Sequence, residues 1–185
     1  MIWKAHALLA AAVLLAAAAP KPSARKAAPP RPAAVPPKPA AVDTDFNASN
    51  PASLIQVLGG LDAHGEIVRS NGDSVMLKVT SPAGAFEVQF AGCDAHGRTC
   101  AALQFDAAST QRTATLAEIN RFNQSSLTCR MIQDPNGKPH VVYSALVSSA
   151  KQPSDLLGDI NAWRGCIADF GAFLKDPAGY LASAP

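Results

Sequence analysis

The sequence predicts an α+β domain, an antiparallel sheet of about six strands with three helices packed on one face. Three observations point to it. Between residues 66 and 106 apolar and polar side chains alternate with a period of two, as in strands with one buried and one wetted face. Turn signals separate the alternating segments: Asn71-Gly72, Ser81-Pro82-Ala83-Gly84 and Asp134-Pro135-Asn136-Gly137. Near the C-terminus Leu156, Ile160, Trp163, Ile167, Phe170 and Leu174 recur at steps of four and three, which is one continuous helical stripe.

Asn50-Pro51 opens a short apolar helix. Ser49 or Asn50 can cap it, and Pro51 suits the first helical position because that position needs no N–H. Leu54, Ile55, Val57, Leu58 and Leu61 give this helix a buried face, and Gly59-Gly60 breaks or bends it near its end. Glu66–Ser70 is a short strand leading into the Asn71-Gly72 hairpin. Val75, Leu77 and Val79 then face one way while Met76, Lys78 and Thr80 face the other. Phe86, Val88 and Phe90 alternate against Glu87 and Gln89, and Leu103 and Phe105 against Gln104 and Asp106. Thr115 with Glu118 forms a capping box for a second helix, with Leu116, Ile119 and Phe122 on one side. Leu127–Gln133 and His140–Val147 flank the Asp134–Gly137 turn as a second hairpin, and Ser154 is placed to cap the long helix. The order is helix, four strands, helix, two strands, helix, which suits helices gathered on one side of the sheet.

The first 42 residues are of another kind. Lys4 is followed by an uninterrupted apolar run, Ala7–Ala19, that ends in small residues. This is the pattern of a secretory signal, and the run is shorter than the roughly 20 residues a bilayer span needs. Cleavage after Ala18 is expected, giving a signal peptide over 1–18; an uncleaved N-terminal anchor is the alternative. A linker over 19–42 follows, in which Pro20–Val42 holds eight prolines and five Lys/Arg. Repeated proline removes backbone donors, so the linker favours extended polyproline II. The folded domain is expected over 43–176, with a C-terminal tail over 177–185. Residues 43–185 carry ten Lys/Arg and 14 Asp/Glu, so the folded part is mildly acidic. That argues against nucleic acid as a partner, which requires clustered cations. Membrane contact is expected only through the signal or the basic linker.

Four cysteines in an exported chain point first to disulfides. Cys93 and Cys100 lie at the ends of adjacent strands, where a bridge staples the loop between them. Cys129 shares strand parity with Met131 and Cys166 borders the long helical stripe, so these two can form a second bridge; two buried free thiols are the alternative. Cys93, His96 and Cys100 could in principle hold a metal, but paired ligands at zinc spacing are missing and no metal or other cofactor is expected. A redox C-x-x-C pair is absent. The nucleophile elbow, the phosphate-binding loop, the dinucleotide fingerprint and the H-E-x-x-H helix are absent too. No catalytic residue can be named, and a non-enzymatic role is expected.

Phe46-Asn47-Ala48-Ser49-Asn50-Pro51 precedes the first helix; Phe86–Phe90 leads into Ala91-Gly92-Cys93-Asp94, then Cys100 and Leu103-Gln104-Phe105; Leu116–Asn123 is followed by a strand, Asp134–Gly137 and another strand. In this order and spacing, over residues 45–175, the sequence resembles the YbjN domain family, in its exported, cysteine-containing branch. The resemblance implies a fold like that of type III secretion chaperones and a regulatory role in sensory transduction, with no catalytic residues. The long proline-rich linker and the second cysteine pair depart from the family pattern, and export is at odds with a cytoplasmic chaperone role.

The expected function is therefore a protein-interaction or regulatory module of the periplasm, or of the secreted fraction. Its partner is expected to be another protein of the cell envelope, with a homodimer as a further option. Met76, Ile132, Val142 and Leu146 share the parity opposite to the core and are the candidate interaction surface. The alternative is an envelope-glycan or small-molecule binder, for which Trp163 and Tyr143 are the obvious stacking residues.

Overall fold

The computed structural model describes residues 46–110 and 112–183; the signal and linker expected over 1–42 lie outside the described residues. The elements run α1 (Pro51–Gly59), β1 (His64–Asn71), β2 (Ser74–Ser81), β3 (Gly84–Ala91), β4 (Ala102–Ala108), α2 (Leu116–Ser125), β5 (Arg130–Gln133), β6 (Pro139–Leu146), α3 (Pro153–Lys175) and α4 (Pro177–Ser183). The fold is α+β, with one six-stranded antiparallel sheet in the order β1-β2-β3-β4-β6-β5.

The expected alternation sets the two faces. Val75, Leu77, Val79, Phe86, Val88, Phe90, Leu103 and Phe105 are all buried in one cluster with the stripe of α3. Trp163 sits at its centre, stacked on Phe105 at 5.5 Å and meeting Phe86 edge to face at 5.6 Å. Such aromatic pairs contribute about 0.5–1.5 kcal/mol beyond their burial. The helices start where local chemistry allows. Asn50 Oδ1 accepts from the Ala52 N–H with Pro51 at the first position of α1. Thr115 and Glu118 exchange both bonds of the capping box on α2.

Several details differ from the sequence reading. The described residues hold four helices: α4 occupies most of the segment expected as a tail. It forms because Tyr180 packs on Phe122 and Phe173, and because Asp176 Oδ1 accepts from the Gly179 N–H. The cap of α3 is Gln152, whose N–H donates to Asp155 Oδ2, since Pro153 already holds the first helical position and the cap must precede it. Leu127 is 94% exposed and lies before β5. There the Ser126 hydroxyl accepts from the Cys129 N–H and Arg130 donates to the carbonyls of Ser126 and Cys129, a local bonding pattern that competes with strand. Leu116 and Leu61 are exposed, each at a helix end beyond the cover of the core.

Both expected cysteine pairings are present, Cys93–Cys100 and Cys129–Cys166. The first closes the β3–β4 loop. Within that loop Asp94 Oδ1 accepts from the His96 and Arg98 N–H groups, and Gly97, at φ +66°, lies against Val75 where a Cβ would have no room. The Cys100 N–H reaches Ser49 O, so the stapled loop also holds the chain entering α1. The second bridge ties the start of β5 to the middle of α3, with both sulfurs buried. Two disulfides fit an oxidising, non-cytoplasmic compartment. No helix among the described residues is long and apolar enough to cross a membrane.

Candidate functional site

The uncovered face of the sheet is charged and polar. One row across it reads Glu66, Lys78, Glu87, Asp106, Val142, Arg130, and the next Arg69, Met76, Gln89, Gln104, Ser144. Met76, Ile132, Val142 and Leu146 share this face, but they do not form a continuous patch. β2 and β6 are three strand spacings apart, about 14 Å. Met76 is half-buried beside Arg69, whose Nη2 lies 3.7 Å from its Sδ, and Val142 is only 8% exposed between Asp106 and Arg130. Ile132 and Leu146 are exposed singly.

A pair that the sequence reading passed over is better placed. Ile67 and Val68 are 53% and 51% exposed on β1, an edge strand. The β1–β2 register shifts between Ile67 and Arg69, so Val68 is an extra, bulged residue. A bulge adds twist and breaks the regular edge, which discourages long edge-to-edge pairing. What remains is a half-exposed apolar pair at the edge, with Ile67 opposite the core residue Leu77 and its sequence neighbours Glu66 and Arg69 opposite Lys78 and Met76 on the open face. Its sequence signal was two adjacent β-branched residues where strict alternation requires one.

Asp106 and His140 meet on the open face, with Nδ1 of the imidazole 2.6 Å from Asp106 Oδ1. That contact engages Nδ1 and leaves Nε2 outside the pair. The pair sits in a shallow depression of about 370 Å³ with Lys78, Glu87 and Lys138. It has the orientation of a general base and its anchor, but among the described residues no serine, threonine or cysteine hydrogen-bonds the imidazole. The two side chains are 34 residues apart in sequence, and only the β4–β6 register makes them neighbours.

A deeper cavity of about 150 Å³ lies between α1, the β2–β3 turn and α3. Leu58, Pro82, Phe86, Ile160 and Ile167 form apolar walls, and Trp163 and Arg164 also line it. Trp163 is fully buried and its Nε1–H has no hydrogen-bond partner. Its ring neighbours Phe86 and Phe105 carry no lone pair, and leaving such a donor unsatisfied costs about 1–3 kcal/mol.

The other polar groups near the core are engaged. Asp159 accepts from Tyr143 Oη at 2.9 Å and from Lys151 Nζ at 2.7 Å. Burial, and then Asp159, push the Tyr143 phenol up to about 12. Trp163 is buried and the Tyr143 hydroxyl is committed, so neither offers a sugar an open stacking face with a free polar handle. Cys93 and Cys100 are bonded to each other, so neither sulfur is free to bind a metal as a thiolate with His96. Compared with known proteins, the chain matches no family model and no curated protein.

Proposed function

We propose that this chain is an exported, non-enzymatic binding domain that resembles the YbjN family and acts in the periplasm as a protein-interaction or regulatory module. The observation that carries the reading is the half-exposed pair Ile67 and Val68 on the unpaired edge of a disulfide-stapled sheet. A half-exposed apolar pair at a sheet edge, with charged Glu66 and Arg69 next to it in sequence, is a small surface on which a partner can seat apolar side chains. The bulge favours docking by side chains over indefinite strand addition. The partner is another protein of the cell envelope.

A photo-crosslinking residue at position 68, compared with one at the more exposed position 127, tests this in intact cells. The expected result is a discrete adduct from position 68 that disappears when Ile67→Asp is added. No adduct, or the same adducts from both positions, would count decisively against the reading. A second reading, small-molecule binding, is favoured by the cavity beside Trp163; its glycan version is weakened by the burial of that ring.

A further inference from the structure

We propose that the Cys93–Cys100 bridge is a site of reversible thiol–disulfide exchange, opened by a dithiol reductant of the same compartment, while the Cys129–Cys166 bridge is a fixed strut. This inference is independent of the β1 edge. The two bridges differ first in access. Cys129 and Cys166 are 3% and 0% exposed, inside the core between β5 and α3. Of the four cysteines Cys93 alone is not buried, and Asp94, Ala95, His96, Arg98 and Thr99 beside it are exposed. Exchange needs a thiolate to reach a bridge sulfur, and exposed bridges are the labile ones. Cys93 is therefore where the folded domain can be attacked. The bridges differ also in what their loss does to the fold. A closure over seven residues stabilises the native state less than one over 37, so the domain can open the short bridge and stay folded.

The exchange is balanced as follows. A thiolate of the reductant bonds to Cys93 Sγ, and the bridge breaks with its electron pair on Cys100 Sγ, which takes up a proton. The reductant's second thiolate then bonds to its first sulfur and expels Cys93 as a thiolate. One dithiol is oxidised to a disulfide and one bridge is reduced to two thiols. The loop keeps its shape by other bonds. Asp94 Oδ1 accepts from the His96 and Arg98 N–H groups, the Gly97 N–H donates to Asp94 O, and the Asp94 N–H to Thr99 O. These hold the two thiols near each other, which favours reclosure. Opening still removes a tether. The Cys93 N–H donates to Asp73 O in the β1–β2 turn, and the Cys100 N–H donates to Ser49 O just before α1. The bridge joins these two anchors directly; without it they are connected only through the loop backbone.

The probe is dithiothreitol, added without denaturant to the full chain with both bridges formed. Samples are quenched over time and alkylated in urea, and the four cysteines are read by peptide mass mapping. Cys93 and Cys100 are expected to become reduced at least about tenfold faster than Cys129 and Cys166, and oxidised glutathione should then reclose them. Equal rates, which global unfolding would give, or earlier opening of Cys129–Cys166, overturn the exchange site. Failure to reclose overturns its reversibility. Amide hydrogen exchange reads the tether. With Cys93–Cys100 open, the Cys100 amide and residues 46–50 should exchange about tenfold faster while the amides of β2 do not change. The Cys93→Ala, Cys100→Ala double variant, which has no thiol to re-oxidise, should show the same pattern. Unchanged exchange at Cys100 in both forms overturns the tether between Asp73 and Ser49.

Discussion

Replacing Cys129 and Cys166 together by alanine removes the bridge that joins β5 to α3. The two residues are 37 positions apart, against seven for Cys93 and Cys100. In the chain-entropy model the longer closure stabilises the native state by about 4 kcal/mol and the shorter by about 2.4 kcal/mol. The sulfurs of Cys129 and Cys166 are buried, so truncation to alanine adds a packing loss of roughly 1 kcal/mol. Unfolding entropy near 2.1 cal/mol/K per residue over the unit Ala41–Pro185 converts the closure terms to falls in Tm of about 13 °C and about 8 °C. Against a net stability of about 5–15 kcal/mol, the longer bridge alone decides whether a marginal domain stays folded. Urea and thermal melts of the two double variants, each compared with the parent, measure this. The expected order is a larger loss for the Cys129–Cys166 pair. Equal losses, or a larger loss for Cys93–Cys100, would refute loop-closure entropy as the main contribution and point to local anchoring of the β3–β4 loop instead.

Three further outcomes are expected. The Arg112 guanidinium, helped by Thr115, holds the Glu118 carboxyl down at about 2, from an ordinary 4.5. A depressed carboxylate contributes stability that is full above its unfolded value and lost as pH falls through the folded one, so the parent should weaken between pH 4.5 and 2. Both partners are partly exposed, so the effect is about 1 kcal/mol; Glu118→Gln should cost that at neutral pH and flatten the acid limb of a urea-midpoint titration. Gly97→Ala puts a Cβ 2.8 Å from Val75 Cγ2 at φ +66°, whereas Gly72→Ala at φ +58° meets nothing within 4 Å. Both should lower the denaturation midpoint, Gly97→Ala by about 1–2 kcal/mol more, and equal losses would deny the clash. Of the two tyrosines, Tyr143 should ionise at about 12 in an ultraviolet pH titration, and Asp159→Asn should lower that value. Because its folded value is raised, the contribution of the neutral phenol is full below the usual 10 and lost as pH climbs through 12.

Much of the fold was legible because its causes are local. Period-two alternation depends only on the pleat, and it placed Val75–Val79, Phe86–Phe90 and Leu103–Phe105 on the buried face. The capping box at Thr115 needs nothing beyond Glu118. Leu127 illustrates the limit: its apolar character suits a strand, but Ser126 and Arg130 capture the neighbouring backbone groups and leave the side chain in solvent. Val142 shows another limit, since parity assigned it to the open face correctly, while its burial depends on what its cross-strand neighbours are.

By itself, then, the sequence determined the types of all elements but α4, the buried parity and the Cys93–Cys100 pairing, because each follows from spacing along the chain or from the ends of adjacent strands; the Cys129–Cys166 bridge it left open against two free thiols. Only the tertiary structure decided that β6 lies between β4 and β5, which brings His140 to Asp106, and that Tyr180 docks on Phe122 and Phe173 to hold α4. It alone also placed Trp163 and Arg164 around one cavity and left the indole N–H unsatisfied. These features rest on strand register and on helix placement over the sheet. A one-residue slip of register would turn every side chain of a strand to the other face, so they exist only once the whole sheet is assembled.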